Sequence, residues 1–107
     1  MQQARGGGMN ELIRQAARMQ RKIDDAKKAI KDQEVSATAA GDKVKATVTC
    51  EGQVVRLEID PEFLAAEGLE MSLDALAAAL HSSLAAADKA VDDAVAKVTG
   101  GVKLPGM

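Results

Sequence analysis

Seven basic side chains, Arg14, Arg18, Arg21, Lys22, Lys27, Lys28 and Lys31, crowd a stretch of eighteen residues. Cationic groups recurring every three, four or seven residues suit contact with a row of phosphates. On a helix rising about 1.5 Å per residue, Arg14 to Lys28 spans roughly 21 Å, enough to face several phosphates of a duplex. Such contacts position a protein rather than read bases. No base-reading motif accompanies them, so nonspecific backbone binding is the chemistry they offer. The whole chain carries a formal net charge of −2, so attraction to a polyanion must come from this local charge. Asp24, Asp25 and Asp32 interrupt the run. The same residues therefore also fit a solvated helix face laced with i,i+4 pairs, the commoner role for such a pattern.

Other reactive side chains are sparse. His81 is the one histidine and Cys50 the one cysteine, far apart in sequence, so neither a metal site nor a paired nucleophile and base is spelled out. Cys50 falls at the end of an apolar run and reads as a small buried hydrophobe in a reducing compartment. Asp60 and Glu62 read as a helix cap and a first-turn acid rather than general acid and base. Gly6-Gly7-Gly8 lacks the Lys-Ser/Thr of a phosphate-binding loop. The absence of Trp and Tyr, with Phe63 the single aromatic and expected in the core, argues against a stacking platform for single strands. The chain reads as no enzyme, with no metal, no cofactor and no small-molecule substrate.

The basic run is carried by a helix with a definite back. Met9, Leu12, Ala16, Met19, Ile23, Ala26 and Ile30 alternate steps of three and four, a heptad seam that places Arg14, Arg21 and Lys28 opposite it. Asn10 is its expected N-cap and Asp32 its end, the glycines making residues 1–8 a flexible tail. The apolar period then falls to two. Val35, Ala37 and Ala39, then Val44, Ala46 and Val48, then Val55, Leu57 and Ile59 predict three strands. A two-residue turn at Gly41-Asp42 pairs Val35 with Val48, Ala37 with Ala46 and Ala39 with Val44. A second at Glu51-Gly52 pairs Val48 with Val55, Ala46 with Leu57, Val44 with Ile59 and Lys45 with Glu58. Both put their apolar residues on one face, as an antiparallel meander requires.

Asp60-Pro61 opens a short turn that Gly68 closes, and a second long helix is expected after Ser72, ending at Gly100-Gly101. Its seam runs Leu73, Leu76, Leu80, Leu84, Ala87, Val91, Ala94 and Val98. The expected architecture is α+β: long helix, three-stranded meander, short turn, long helix. It makes one domain over residues 9–100, with a C-terminal tail at 101–107.

Basic charge concentrates at the front. Residues 1–33 hold eight Lys/Arg against four Asp/Glu, residues 34–68 three against seven, and residues 69–107 three against five. Nearly half of the apolar side chains are alanine, so core burial is thin for 107 residues, and an obligate oligomer is expected. Leu12, Met19, Ile23, Leu76, Leu80 and Leu84, along the two seams, are the expected dimer interface. No export signal or membrane span is visible, which points to the cytoplasm.

Taken together, these pieces resemble the YbaB/EbfC family of bacterial nucleoid-associated proteins. The matching stretches are the Gly-rich start leading into Leu12-Ile13-Arg14-Gln15-Ala16-Ala17-Arg18-Met19-Gln20, the Val-rich strand after Gly41, Leu57-Glu58-Ile59-Asp60-Pro61, and Thr99-Gly100-Gly101 through Leu104-Pro105-Gly106. Their order and spacing over nearly the whole chain carry the likeness. The resemblance implies an intertwined homodimer with helical arms that binds duplex DNA with little sequence preference, affects nucleoid organisation and gene expression, and resides at the nucleoid. The rival reading is a dimeric scaffold whose arms grip a protein partner, its basic stripe serving solubility alone.

Overall fold

The computed structural model describes the backbone of residues 2–100 and the side chains of residues 8–100. Its elements are α1 (Gln2–Ile30), β1 (Glu34–Ala39), β2 (Val44–Thr49), β3 (Val54–Ile59) and α2 (Pro61–Thr99). The α+β order is the one the apolar periods predict. Two compact units divide the described residues: 30–92, and 2–29 with 93–100.

α1 begins earlier than its glycines suggest. It runs unbroken from Gln2 through Gly6-Gly7-Gly8, so the stretch expected as a tail is helical and Asn10 lies inside the helix. Each glycine costs about 1 kcal/mol relative to alanine, and the helix formers on both sides carry the helix across them. Lys27 and Lys28 sit in the last turn, where cations oppose the negative end of the macrodipole. Gln33 N–H then donates to Ile30 O (2.9 Å) and turns the chain into β1. Cover on the seam is graded. Ile23 is 0% exposed and Met19, Ala26 and Ile30 are half-buried, whereas Met9, Leu12 and Ala16 are exposed.

The sheet is a meander in the order β1-β2-β3. Its first hairpin has the expected register, Val35 against Val48, Ala37 against Ala46 and Ala39 against Val44. Gly41 and Asp42 take φ values of 62° and 68°, as a two-residue I′ turn demands. The Asp42 carboxylate accepts from Thr38 Oγ1 at 2.7 Å and steadies the turn.

In the second hairpin, Val44 meets Ile59, Lys45 meets Glu58 and Ala46 meets Leu57, as expected, but Val48 meets Val54 and not Val55. The loop explains the change. It has three residues, Cys50-Glu51-Gly52, closed by Thr49 N–H to Gln53 O (2.8 Å) and Gly52 N–H to Thr49 O (2.9 Å), with Gly52 at φ 95°. One loop residue more than a two-residue turn demands one strand residue more, and Val55 is that residue, forming a bulge. Alternation from Leu57 sets Val55 on the apolar face, while pairing with Val48 sets Val54 there too.

Asp60 starts α2 as a cap. Its Oδ1 accepts from Glu62 N–H (2.9 Å), its Oδ2 pairs with Lys43 Nζ (3.5 Å), and its own N–H donates to Lys43 O (2.8 Å). At Gly68 the backbone leaves the helical region, with φ 88° and ψ 169°, so α2 is two helical segments, 61–67 and 69–99. The long segment therefore starts before Ser72, not after it. Ser72 is buried inside and returns its hydroxyl to Gly68 O at 2.7 Å.

The buried face of that segment is also rotated from the leucine seam. Ser72, Ala79, Ser83 and Ala87 are buried, whereas Leu76, Leu80 and Leu84 are half-buried flanks and Leu73 is exposed. Small side chains let the helix approach closely: Ala79 joins Val44 and Ala46 in the core, with Ala39, Ile59, Phe63, Ala75, Leu76 and Leu80 packed around them.

Candidate nucleic-acid interface

All seven basic candidates on and just after α1, Arg14, Arg18, Arg21, Lys22, Lys27, Lys28 and Lys31, are exposed. At about 100° per residue, Arg14, Arg18, Arg21 and Lys28 fall within an arc of about 80°, with Lys22 about 40° beyond it and Lys27 on the far side, about 40° from Ile23, while Lys31 lies just past the helix end. The arc lies directly across the helix from buried Ile23. Packing on one face thus fixes which way the cations point.

Few of these charges are neutralised. Among the described residues, Arg18 alone of the seven forms an ion pair, Nη2 to Glu11 Oε2 at 3.3 Å, between half-exposed side chains. Such a surface pair is worth less than about 1 kcal/mol, so a phosphate can displace it readily. Gln20 Nε2 donates to Asp24 Oδ1 at 3.1 Å. The i,i+4 ladder of a fully self-compensated face is not formed.

The remaining candidates separate cleanly. His81 is exposed on α2, Cys50 is buried at the hairpin loop, and Asp60 is engaged as cap and salt-bridge partner. Among the described residues no group of three His, Cys, Asp or Glu side chains is placed to hold a metal ion, and no helix is long and apolar enough to cross a membrane. Of the expected interface residues, Leu12 is exposed, Met19 and Leu84 are half-buried, Leu76 and Leu80 pack against the core, and Ile23 has no exposed surface.

Sequence reasoning missed a set of exposed large apolar side chains on the unit of residues 30–92. Val54, Val55 and Leu57 on β3, and Leu64, Leu69, Met71 and Leu73 on α2, are all exposed. The available signals were the doubled valine at 54–55 and the bulky apolar residues on both sides of Gly68, where the expected short turn closes.

A long helix leading into a small antiparallel meander and a second long helix defines the class, a small α+β protein. The YbaB/EbfC DNA-binding family matches residues 5–102, and the chain belongs to that family. A nucleoid-associated protein of Clostridium acetobutylicum is 34% identical over 102 residues, covering 95% of this chain and 91% of that protein. Another, from Clostridium kluyveri, is 34% identical over 95% of this chain and 90% of its own length. In fold, the chain is similar to an uncharacterized protein from Helicobacter pylori, with a TM-score of 0.67 at 20% identity, over 85% of this chain and 96% of that one.

Proposed function

We propose that the protein is a nucleoid-associated homodimer that binds duplex DNA with little sequence preference through the basic face of α1. The observation that carries this reading is the row of exposed, largely unpaired cations at 14, 18, 21, 22 and 28, held outward by the burial of Ile23. Phosphates are its natural partners, because a row at helical spacing neutralises backbone charge without reading bases. The proposed location, the bacterial cytoplasm at the nucleoid, follows from the family and its named relatives.

Dimerisation engages the uncovered apolar surface of β3 and the front of α2. The cluster around Ala79 involves Val44 and Ala46 of β2, Ala39 of β1 and Ile59 of β3, leaving Val54, Val55 and Leu57 exposed. With Leu64, Leu69, Met71 and Leu73 they are the exposed large apolar side chains of this unit, which a second copy can cover. That same area favours a second reading, a scaffold that grips a protein partner there while its cations only aid solubility.

Salt separates the two. A mobility shift with two duplexes of unrelated sequence, at two ionic strengths, is expected to show similar affinity for both and marked weakening at the higher salt. No binding at the lower ionic strength would leave the scaffold.

A further inference from the structure

The apolar seam of α1 is covered along its second half only. Ile23 is 0% exposed and Met19, Ala26 and Ile30 are half-buried, whereas Met9 and Leu12 are 60% and 62% exposed, Ala16 is exposed, and Ile13 beside the seam is 60% exposed. In the unit of residues 2–29 and 93–100, the end of α2 is the one other element described. Its Val95 and Thr99 are buried, so cover on α2 lasts to its final residue. The helix then stops, with Gly100 at φ 67° in the left-handed conformation of a C-terminal cap.

We propose that the segment following this cap, Gly101-Val102-Lys103-Leu104, runs on along the uncovered half of the seam of its own chain, with Val102 against Ala16 and Leu104 against Leu12 and Ile13. Continuity is the first argument. One heptad line joins the covered residues 19–30 to the uncovered residues 9–16, so whatever leaves the end of α2 in the same direction meets the exposed side chains. That direction follows from the chain: both helices join the neighbouring unit, at 29–30 and at 92–93, so α2 runs back beside α1 toward its N-terminus.

Reach is the second argument. Residues 93–99 advance about 10 Å and bring Thr99 level with about Ile23. Leu12 lies about 17 Å further along α1, and five extended residues, from Thr99 to Leu104, span about 17 Å as well. By the same measure Val102 falls beside Ala16. Pro105 keeps Leu104 out of helical geometry, and in an extended stretch Val102 and Leu104 share one side while Lys103 takes the other, toward water. Only a few residues need be ordered for both contacts, which limits the entropic cost.

Docked in this way, the segment is a strap over the front of α1, where the glycines at 6–8 weaken the helix. It lies on the seam side, so Arg14, Arg18, Arg21 and Lys28 stay uncovered. Its loss frees the front of α1 alone and leaves the sheet and its core in place.

The test uses the full chain. In a Cys50→Ala background, L12C combined with L104C is expected to close an intrachain disulfide on mild oxidation about fivefold faster than R14C combined with L104C, whose first member lies across the helix. Val102→Asp with Leu104→Asp should speed amide exchange over residues 9–16 about fivefold, with exchange in the sheet and thermal melting unchanged, whereas Lys103→Ala should exchange as wild type does. Equal disulfide rates for the two cysteine pairs, or unchanged exchange in the double aspartate variant, overturns the proposal. So does a disulfide between L12C protein and L104C protein, mixed as single variants, that forms as readily as the one within the double variant, since a second copy is then the occupant. None of these readouts needs DNA, so a failed mobility shift removes the DNA-binding reading and leaves the strap to its own test.

Discussion

Ala40 occupies φ 54° at the start of the first hairpin turn, a region that costs a residue with a Cβ about 1–2 kcal/mol. Replacing it with glycine removes that clash and adds some unfolded-state entropy. Ala40→Gly is expected to stabilise by up to about 1 kcal/mol in denaturant melts, whereas glycine at an ordinary strand position destabilises. Gly68 is the converse. A Cβ built there meets nothing within 4 Å, so space is no obstacle, but φ 88° with ψ 169° belongs to glycine almost alone. Gly68→Ala is expected to cost about 1–3 kcal/mol through backbone strain, and a neutral melt would show that the joint can relax into continuous helix.

The β3 bulge makes a sharper test at the level of the strand. In an unbulged register Val55 faces the apolar side and Val54 the polar side, so lysine at 55 alone would be disruptive. With the bulge both valines share the apolar side proposed for the dimer contact. Val54→Lys and Val55→Lys are each expected to weaken the dimer in sedimentation equilibrium, by similar factors, and a wild-type equilibrium for Val54→Lys would restore the regular register. Along α1, Ile23→Asp is expected to unfold the protein and Leu12→Asp to leave thermal stability nearly unchanged, because only the first puts a carboxylate where water is excluded.

These elements also show why the sequence was legible in some places and not in others. The Gly41-Asp42 turn was readable because its length and the strand alternation agree. The Glu51-Gly52 signal was misleading by one residue, yet the pairs from Val44 to Ala46 kept their partners because the bulge restores the count. In α2 the leucines dominated the apolar pattern, while the buried positions are Ser72, Ala79, Ser83 and Ala87, of which the seam includes Ala87 alone because pattern reading weighs small and hydroxyl side chains lightly. The basic face of α1 was visible at once, since helical spacing alone groups Arg14, Arg21 and Lys28. Exposure of Val54, Val55 and Leu57 was not, because cover on a strand depends on where a distant helix lies.

For the whole molecule, a slightly acidic chain binding a polyanion is a statement about charge placement. The net charge is −2, yet eight of the fourteen basic residues precede position 34. DNA affinity should therefore respond to reversal of three charges on α1 far more than to added acids elsewhere. Reversing them should also leave the proposed dimer intact, because those side chains are not among the apolar residues of β3 and α2 proposed to form it. The most direct measurement is the slope of log K against log salt for wild type and for Arg14→Glu, Arg21→Glu, Lys28→Glu combined, on duplexes of unrelated sequence. With three cations reversed on each protomer, the slope should flatten by about 5 and measurable binding near physiological salt should vanish, with sedimentation and melting unchanged. A folded triple variant that binds DNA as tightly as wild type, with the same slope, would contradict the assignment of this face to DNA.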